Sequence, residues 1–481
     1  MQQSAFLKLP KSFYELVLPE PQQNARLVAV NHSLLDELNC DLNDKQLLAL
    51  ASGNLTDESL INFNLIPLAQ KYTGHQFGYY NPDLGDGRGL LLGQWHDKNN
   101  QAWEFHLKGA GRTPFSRRGD GRAVLRSVIR EYLASEALHG LGVPTTRALA
   151  IASSQEQVQR EIFEPRASLI RVTPTHIRFG HFEWAASLGK EALDALIAFV
   201  IEHYYSELAD LPETEQAGAL LKAVCGRTAT LMAKWQAVGF NHGVMNSDNM
   251  SIIGETFDFG PYAFFDDFQI EYICNHSDVE GRYAYNQQPK IGVWNCQVLA
   301  AAFGQSVTEA EQTAALDHFV QTYNQQYVNE MNAKLGLATQ QDTDKDLIGD
   351  LLVLMDKQRV DFSLFFRRLA KLGHTDENEL RQLLKEPSEF DEWFERYHLR
   401  VAQEELGETE RQQRILTNNP SIILRNYIAQ QIIEAAEVGN FQPLNDWVKA
   451  LHSPFENHPG LAEFQQSPTP EQKGLQLSCS S

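Results

Sequence analysis

Residues 241–260 read NHGVMNSDNMSIIGETFDFG, and the rest of the chain is organised around them. The stretch holds an Asp-Asn pair (Asp248, Asn249), a short apolar run through Met250, Ile252 and Ile253, and then Asp258, Phe259 and Gly260. Asn249 and Asp258 carry hard oxygen atoms of the kind that suit magnesium or manganese. His242 stands seven residues before Asn249, followed by Gly243 and Val244.

A protein-kinase catalytic core uses the same layout. Its His-Arg-Asp loop has an Asn five residues on, and that Asn and a later Asp-Phe-Gly aspartate hold the metal–phosphate cluster. In this chain the Arg position is Gly243 and the base position is Val244, which cannot accept a proton. The loop keeps its metal ligands and lacks its base. The nearest carboxylate able to replace it is Asp248.

Upstream, Gly85, Asp86, Gly87, Arg88 and Gly89 precede LLLGQW, and AWEFHLK follows a turn at residues 97–100. That is a hairpin with a glycine-rich approach. Glycines let backbone N–H groups come close to phosphate oxygens, although a GxGxG run describes a bland tight turn equally well. Trp103, Phe105 and Leu107 alternate onto one face, so Glu104, His106 and Lys108 take the other. Lys108 thus ends a strand about twenty residues after the glycines, where a kinase keeps its phosphate-binding Lys.

A helix follows, with Asp120 as its expected N-cap, a stripe of Val124, Leu125, Val128, Ile129, Tyr132 and Leu133, and a stop at Gly140 or Gly142 before Pro144. Glu131 falls at the edge of that stripe, placed to pair with Lys108; a solvated helical Glu is the alternative. RALAIA and ASLIRVT read as strands, with Ile170 and Val172 on one face and Arg171 on the other, where it meets either a cleft or, the default for an Arg here as for Arg178, solvent. Arg178 follows in HIRFG. Two periodic helices, over 193–208 and 220–235, come next, and Gly239 closes the second just before Asn241. Ser33, with Asp36 three residues on, reads as a capping-box start.

Bulk properties bound the rest. With 481 residues, 43% hydrophobic and 21% charged, the chain has the composition of an ordinary globular protein. Its net charge of −21 argues against a general nucleic-acid or anionic-membrane surface. The exception is local: Arg112, Arg117, Arg118, Arg122, Arg126 and Arg130 lie close together. No signal-peptide run is present, and the most apolar stretch, 195–201, is too short to span a bilayer, so a cytoplasmic location is expected. The five cysteines then start as thiols, in no zinc-like spacing, with Cys225 on an apolar helical face.

The expected architecture is α+β: a two-lobed, protein-kinase-like fold with an N-terminal extension and a large helical C-terminal region. The divisions are an extension at 1–70, an N-lobe at 71–180 and a C-lobe at 181–305. A helical region at 306–452 and a flexible tail at 453–481 with Cys479 complete the chain.

Several long runs resemble the selenoprotein O family and its bacterial cysteine-containing members, a pseudokinase-fold family of protein nucleotidyltransferases. They are YTGHQFGYYNPDLGDGRGLLLG, FHLKGAGRTPFSRRGDGRAVLRSVIREYLASEALHGLGVPTTRALA, HGVMNSDNMSIIGETFDFGPYAFFD, GRYAYNQQPKIGVWN, LRNYIAQQIIEAA and the terminal SCSS. The resemblance implies that ATP binds in a flipped orientation and gives AMP to Ser, Thr or Tyr hydroxyls of proteins, the chain itself being one candidate. Gly85, Gly87, Arg88, Lys108, Asp120, Gly121, Arg171, Arg178 and Asp258 match nucleotide-binding positions, and Glu131 matches the partner of the Lys. Asn249 and Asp258 match the ligands of Mg2+ or Mn2+, and Asp248 the proton acceptor. UTP with manganese is a second donor in the family, which makes UMP transfer an alternative. No nucleic acid or membrane partner is implied. Two further readings stay open on the residues alone: a phosphotransferase with Asp248 as base, and a non-catalytic nucleotide-binding scaffold. Cys479, three residues from the end, and Cys274, sixteen residues after Asp258, form a candidate redox pair tethering the tail over the site, the alternative being an unpaired tail thiol.

Overall fold

The computed structural model describes residues 1–372 and 378–475. The fold is mixed α/β, with one large antiparallel sheet and many helices. The sheet strands are β1 (Tyr14–Leu16), β2 (Arg26–Val30), β3 (Leu68–Gln76), β4 (Tyr79–Gly85), β5 (Gly89–His96), β6 (Ala102–Lys108), β7 (Ala123–Val124), β8 (Arg147–Gln159) and β9 (Phe163–Thr173). Their order is β1-β3-β5-β6-β9-β8-β2, with β4 on β3 and β7 on β9.

Strand alternation decides what this sheet does. On one face Leu90, Leu92, Phe105, Leu107, Ile170 and Val172 pack against Leu34, Leu35, Leu47 and Leu50. Those leucines come from α1 (His32–Glu37) and α2 (Asp44–Ala51). The opposite face carries His106, Lys108 and Arg171, with His106 directly across from Arg171 in the register of β6 and β9. The hydrophobic effect buries the first face and thereby aims the second at the site.

Residues 1–70, read above as an irregular extension with short helices, also supply β1 and β2 at the two ends of the sheet. α1 is capped by Asn31, whose Oδ1 accepts from Leu34 N–H at 3.1 Å, not by Ser33. α3 (Asp57–Phe63) completes the extension. The aromatic stretch after it is a second hairpin, β3–β4.

α4 (Leu125–Gly140) carries Glu131 and starts without a side-chain cap, since Val124 takes that position. Asp120, expected there, instead accepts from Arg122 N–H and pairs with Arg160 at 2.9 and 3.0 Å. β7 between Asp120 and α4 uses extended backbone that a cap at Asp120 would have made helical. The largest core cluster joins α4 to α5 (Phe179–Leu188), α6 (Lys190–Tyr204), α7 (Glu213–Val238) and α8 (Gln288–Ala302). Cys225 is fully buried within it.

Gly239 ends α7 in the left-handed region at φ +69°, which lets the chain turn directly into the stretch quoted first. That stretch is pinned at its base by a small ribbon, β10 (Phe240–Asn241) against β11 (Ala263–Phe264). A separate cluster closes over the C-terminal helices, from α9 (Glu309–Lys334) onward, and includes Leu351, Phe365, Trp393 and Ile415. Arg425 donates to both oxygens of Asp361, at 3.0 and 2.8 Å. Residues 453–475, expected to be loose, are held down in places. Lys473 Nζ reaches both oxygens of Asp267 at 2.7 and 2.9 Å, and Gly474 N–H donates to Asp266. Among the described residues no helix is long and apolar enough to cross a membrane.

Candidate active site

A cavity of about 710 Å³ opens between the polar face of the sheet and the 241–260 loop. Gly85, Gly87, Arg88, Lys108, Asp120, Gly121, Arg171, Arg178, Asp248, Asn249 and Asp258 all line it. Glu131 stands behind Lys108, fully buried. Cys274 is buried away from this lining and its thiol donates to Asn241 Oδ1 at 2.8 Å. Cys479 lies outside the described residues.

The charged groups form one connected network. Lys108 Nζ donates to Glu131 Oε2. Arg171 donates to Glu131 Oε1 through Nε and Nη2 at 2.8 and 2.7 Å, and Nη2 also reaches Asp258 Oδ1 at 2.7 Å. Arg178 Nη1 bonds Asp258 Oδ2 at 2.7 Å and the Asp248 carbonyl at 2.8 Å. Burial alone would raise the Asp258 carboxyl, yet Arg171, Arg178 and Lys108 hold it well below the usual carboxylate range. Glu131 is likewise held low against its burial, by Arg171 and Lys108. Both carboxylates are therefore ionised. Asp258 also sits at φ +59°, a conformation that a non-glycine residue keeps only where its surroundings fix it.

Asp248 behaves oppositely. Burial pushes its carboxyl up to about 6, with Arg178 limiting the rise. Its Oδ2 accepts from Gln76 Nε2 at 3.2 Å, and its Oδ1 is buried with no hydrogen-bond partner among the described residues. Ser247 anchors the turn, donating to Glu183 at 2.5 Å and accepting from His75 N–H at 2.7 Å. The β3 backbone comes so close that a Cβ on Gly74 would lie 2.9 Å from Asp248 Cβ. His242 has no place in the cavity: its ring stacks on Trp235 and its Nε2 faces the Phe257 carbonyl at 3.1 Å.

Several contributors carried no legible sign in the sequence. Gln76 and Gly74 act through a strand pairing far from the loop. Asp86, read only as part of a glycine run, binds Gln70 N–H at 3.1 Å and His106 at 3.3 Å, fastening the approach to β6. Gly121 is the glycine whose conformation matters most, at φ +71° with the Gly111 carbonyl where a side chain would go.

The donor chemistry suits a hard divalent cation. Asn249 spends its amide N–H on the Val244 carbonyl at 3.1 Å, which leaves its oxygen as the group to offer. With the Asp258 carboxylate and the unpartnered Asp248 Oδ1, every donor atom here is oxygen. Among the described residues no cluster of three His, Cys, Asp or Glu forms a closed metal cage. Two or three protein oxygens leave positions for phosphate oxygens and water, the usual arrangement for magnesium at a nucleotide site.

Comparison with known sequences agrees with this geometry. The profile of the family described as protein adenylyltransferase SelO matches residues 1–452. The protein nucleotidyltransferase YdiU of Hydrogenovibrio crunogenus is 94% identical over 481 residues, covering both chains fully. The proteins of the same name from Vibrio cholerae and Myxococcus xanthus are 44% and 43% identical, each covering 99% of this chain and 98% of their own. The chain belongs to the SelO family of protein adenylyltransferases and is an enzyme of the nucleotidyltransferase class.

Proposed function

We propose that this enzyme has a two-lobed, kinase-like pseudokinase fold and transfers AMP from ATP to Ser, Thr or Tyr hydroxyls of proteins, in the cytoplasm. The observation that carries the reading is the contrast between two carboxylates in one cavity. Asp258 is held fully ionised by two arginines, while Asp248 has a carboxyl near 6 and an unpartnered oxygen. That separation supports charge binding for the first and proton transfer for the second.

In the reaction, Asp248 takes the acceptor hydroxyl proton as that oxygen bonds to the α-phosphorus. The bond from phosphorus to the bridging oxygen breaks, and pyrophosphate leaves. Lys108, Arg171 and Arg178 face the charge that develops on the departing group, and Gly85, Gly87 and Arg88 bring backbone and side-chain donors to the phosphates. Asn249 and Asp258 would hold Mg2+ or Mn2+, which neutralises phosphate charge when bound. Glu131 keeps Lys108 and Arg171 in position. UMP transfer from UTP uses the same machinery and is the second donor of the proposal. The Cys274–Cys479 tether remains part of it as a redox control.

Incubation with ATP labelled at the α- or the γ-phosphate tests this. Label from the α position is expected in protein, in wild type and not in Asp258→Ala. Label from the γ position would instead establish a phosphotransferase.

A further inference from the structure

The six arginines that the sequence groups between residues 112 and 130 separate into two sets in the fold. Arg122 is paired with Glu20, Arg126 reaches Glu164 Oε2 at 3.4 Å, and Arg130 donates to the Gly260 and Tyr262 carbonyls at 3.3 and 3.1 Å. Arg112, Arg117 and Arg118 are exposed, and all three line the cavity. Their side chains make no ion pair or hydrogen bond among the described residues.

The loop that carries them is fastened down. Thr113 Oγ1 donates to the Asp86 carbonyl at 2.6 Å, Ser116 Oγ donates to the Gly87 carbonyl, and Gly119 N–H closes onto the Ser116 carbonyl at 2.7 Å. It rides on the glycine-rich approach, so close that a Cβ on Gly85 would lie 2.5 Å from the Phe115 ring. Arg117 is held at φ +50°, a left-handed backbone that a long side chain keeps only where its surroundings fix it. Three unpartnered guanidiniums are thus displayed at the rim by a fixed loop.

The charge deeper in the cavity is nearly balanced. Lys108, Arg171 and Arg178 face the carboxylates of Glu131 and Asp258. Three cations against two anions leave a single positive charge, which an ionised Asp248 cancels. Arg160 is likewise offset by Asp120. A nucleoside triphosphate carries roughly four negative charges at neutral pH, and the chain as a whole carries −21. The inner network can hold phosphates once they arrive, but it exerts little pull on them from solution. Exposed guanidiniums around a cleft do exert it, because low-dielectric walls focus their field. Arg88, also exposed, adds one more charge there.

We propose that Arg112, Arg117 and Arg118 draw the nucleoside triphosphate into the cavity from solution, raising its association rate and leaving its retention to the inner network. The inference rests on the nucleotidyl-transfer reading of the cavity and adds to it a set of nucleotide-steering residues.

Stopped-flow binding of N-methylanthraniloyl ATP to the full chain, with Mg2+ present and at low and high sodium chloride, reads association and dissociation separately. The main variant combines Arg117→Asn with Arg118→Gln; asparagine tolerates the left-handed backbone, so the loop keeps its course. Its association is expected to slow about tenfold at low salt and much less at high salt, where screening already weakens the field in wild type. Dissociation is expected to stay as in wild type. Arg112→Gln, outside the left-handed turn, should slow association about threefold and guards against a folding defect in the double variant. Lys98→Gln, at the end of the β5–β6 hairpin opposite Gly89, should change neither rate. Unchanged association in the rim variants, a slowing equal at both salts, faster dissociation, or an equal slowing in Lys98→Gln would overturn the proposal. If capture slows as expected while wild type places no α-label in protein, the steering role stands and the transfer reading fails. Transfer of α-label with unaltered capture sinks the steering role alone.

Discussion

Replacing Asp248 by Asn separates what the fold prefers from what the chemistry needs. An aspartate carboxyl raised from 3.8 to about 6 has an ionised form about 3 kcal/mol costlier in the folded protein than in water. The sign follows from linkage. A folded value above the unfolded one contributes stability below about 3.8, and that contribution is lost as pH rises through about 6. At pH 8 wild type therefore carries nearly the whole penalty, and Asn carries none. Arg178 loses a nearby negative charge in the variant, which returns part of the gain, so the expected net stabilisation at pH 8 is about 1–2 kcal/mol. At pH 3, below both values, the two proteins should differ little. Transfer from α-labelled ATP should fall about 10²–10⁴-fold, the usual worth of a positioned general base. Urea unfolding at both pH values, alongside the transfer assay, reads both effects. A variant that unfolds at lower urea than wild type at pH 8, or that keeps its transfer rate, refutes the reasoning.

Four more outcomes are expected. The wild-type transfer rate should climb with pH through about 6 as Asp248 ionises, measured as kcat against pH at saturating nucleotide. Glu131→Gln strands Lys108 and Arg171 without their shared carboxylate and should cost about 3–5 kcal/mol in urea unfolding. Gly74→Ala drives a methyl to within 2.9 Å of Asp248 Cβ, so transfer should drop while stability falls by about 1–3 kcal/mol. EDTA should stop transfer, with Mg2+ or Mn2+ restoring it, while the thermal midpoint stays put because no cluster of ligands for a structural metal forms among the described residues.

What the sequence made legible follows the range of the interactions. Short-range periodicity placed β5, β6, β8, β9, α4, α6 and α7, and strand alternation correctly put Lys108 and Arg171 opposite the packed face. The cavity brings together every nucleotide and metal residue named from the sequence. Features depending on long-range pairing were invisible. Gln76 meets Asp248 across most of the site, and nothing local to either announces it. Asp120 was misread because an acidic residue ahead of a helical stripe has the look of a cap, whereas its partner Arg160 is brought near only when β8 and β9 pair. The left-handed Asp258 is a tertiary effect too, enforced by two arginines from elsewhere in the chain.

The two ends of the large sheet carry a consequence for how the chain must assemble. β1 pairs with Leu68–Gln70 at one end and β2 pairs with Ala150–Ser153 at the other. Thus β1 stays unpaired until residues 68–70 have been made, and β2 waits until β8 has been made. An open strand edge is a template for pairing with another chain. One short N-terminal segment therefore guards both flanks during synthesis, and trimming it would unmask two aggregation-prone edges at once.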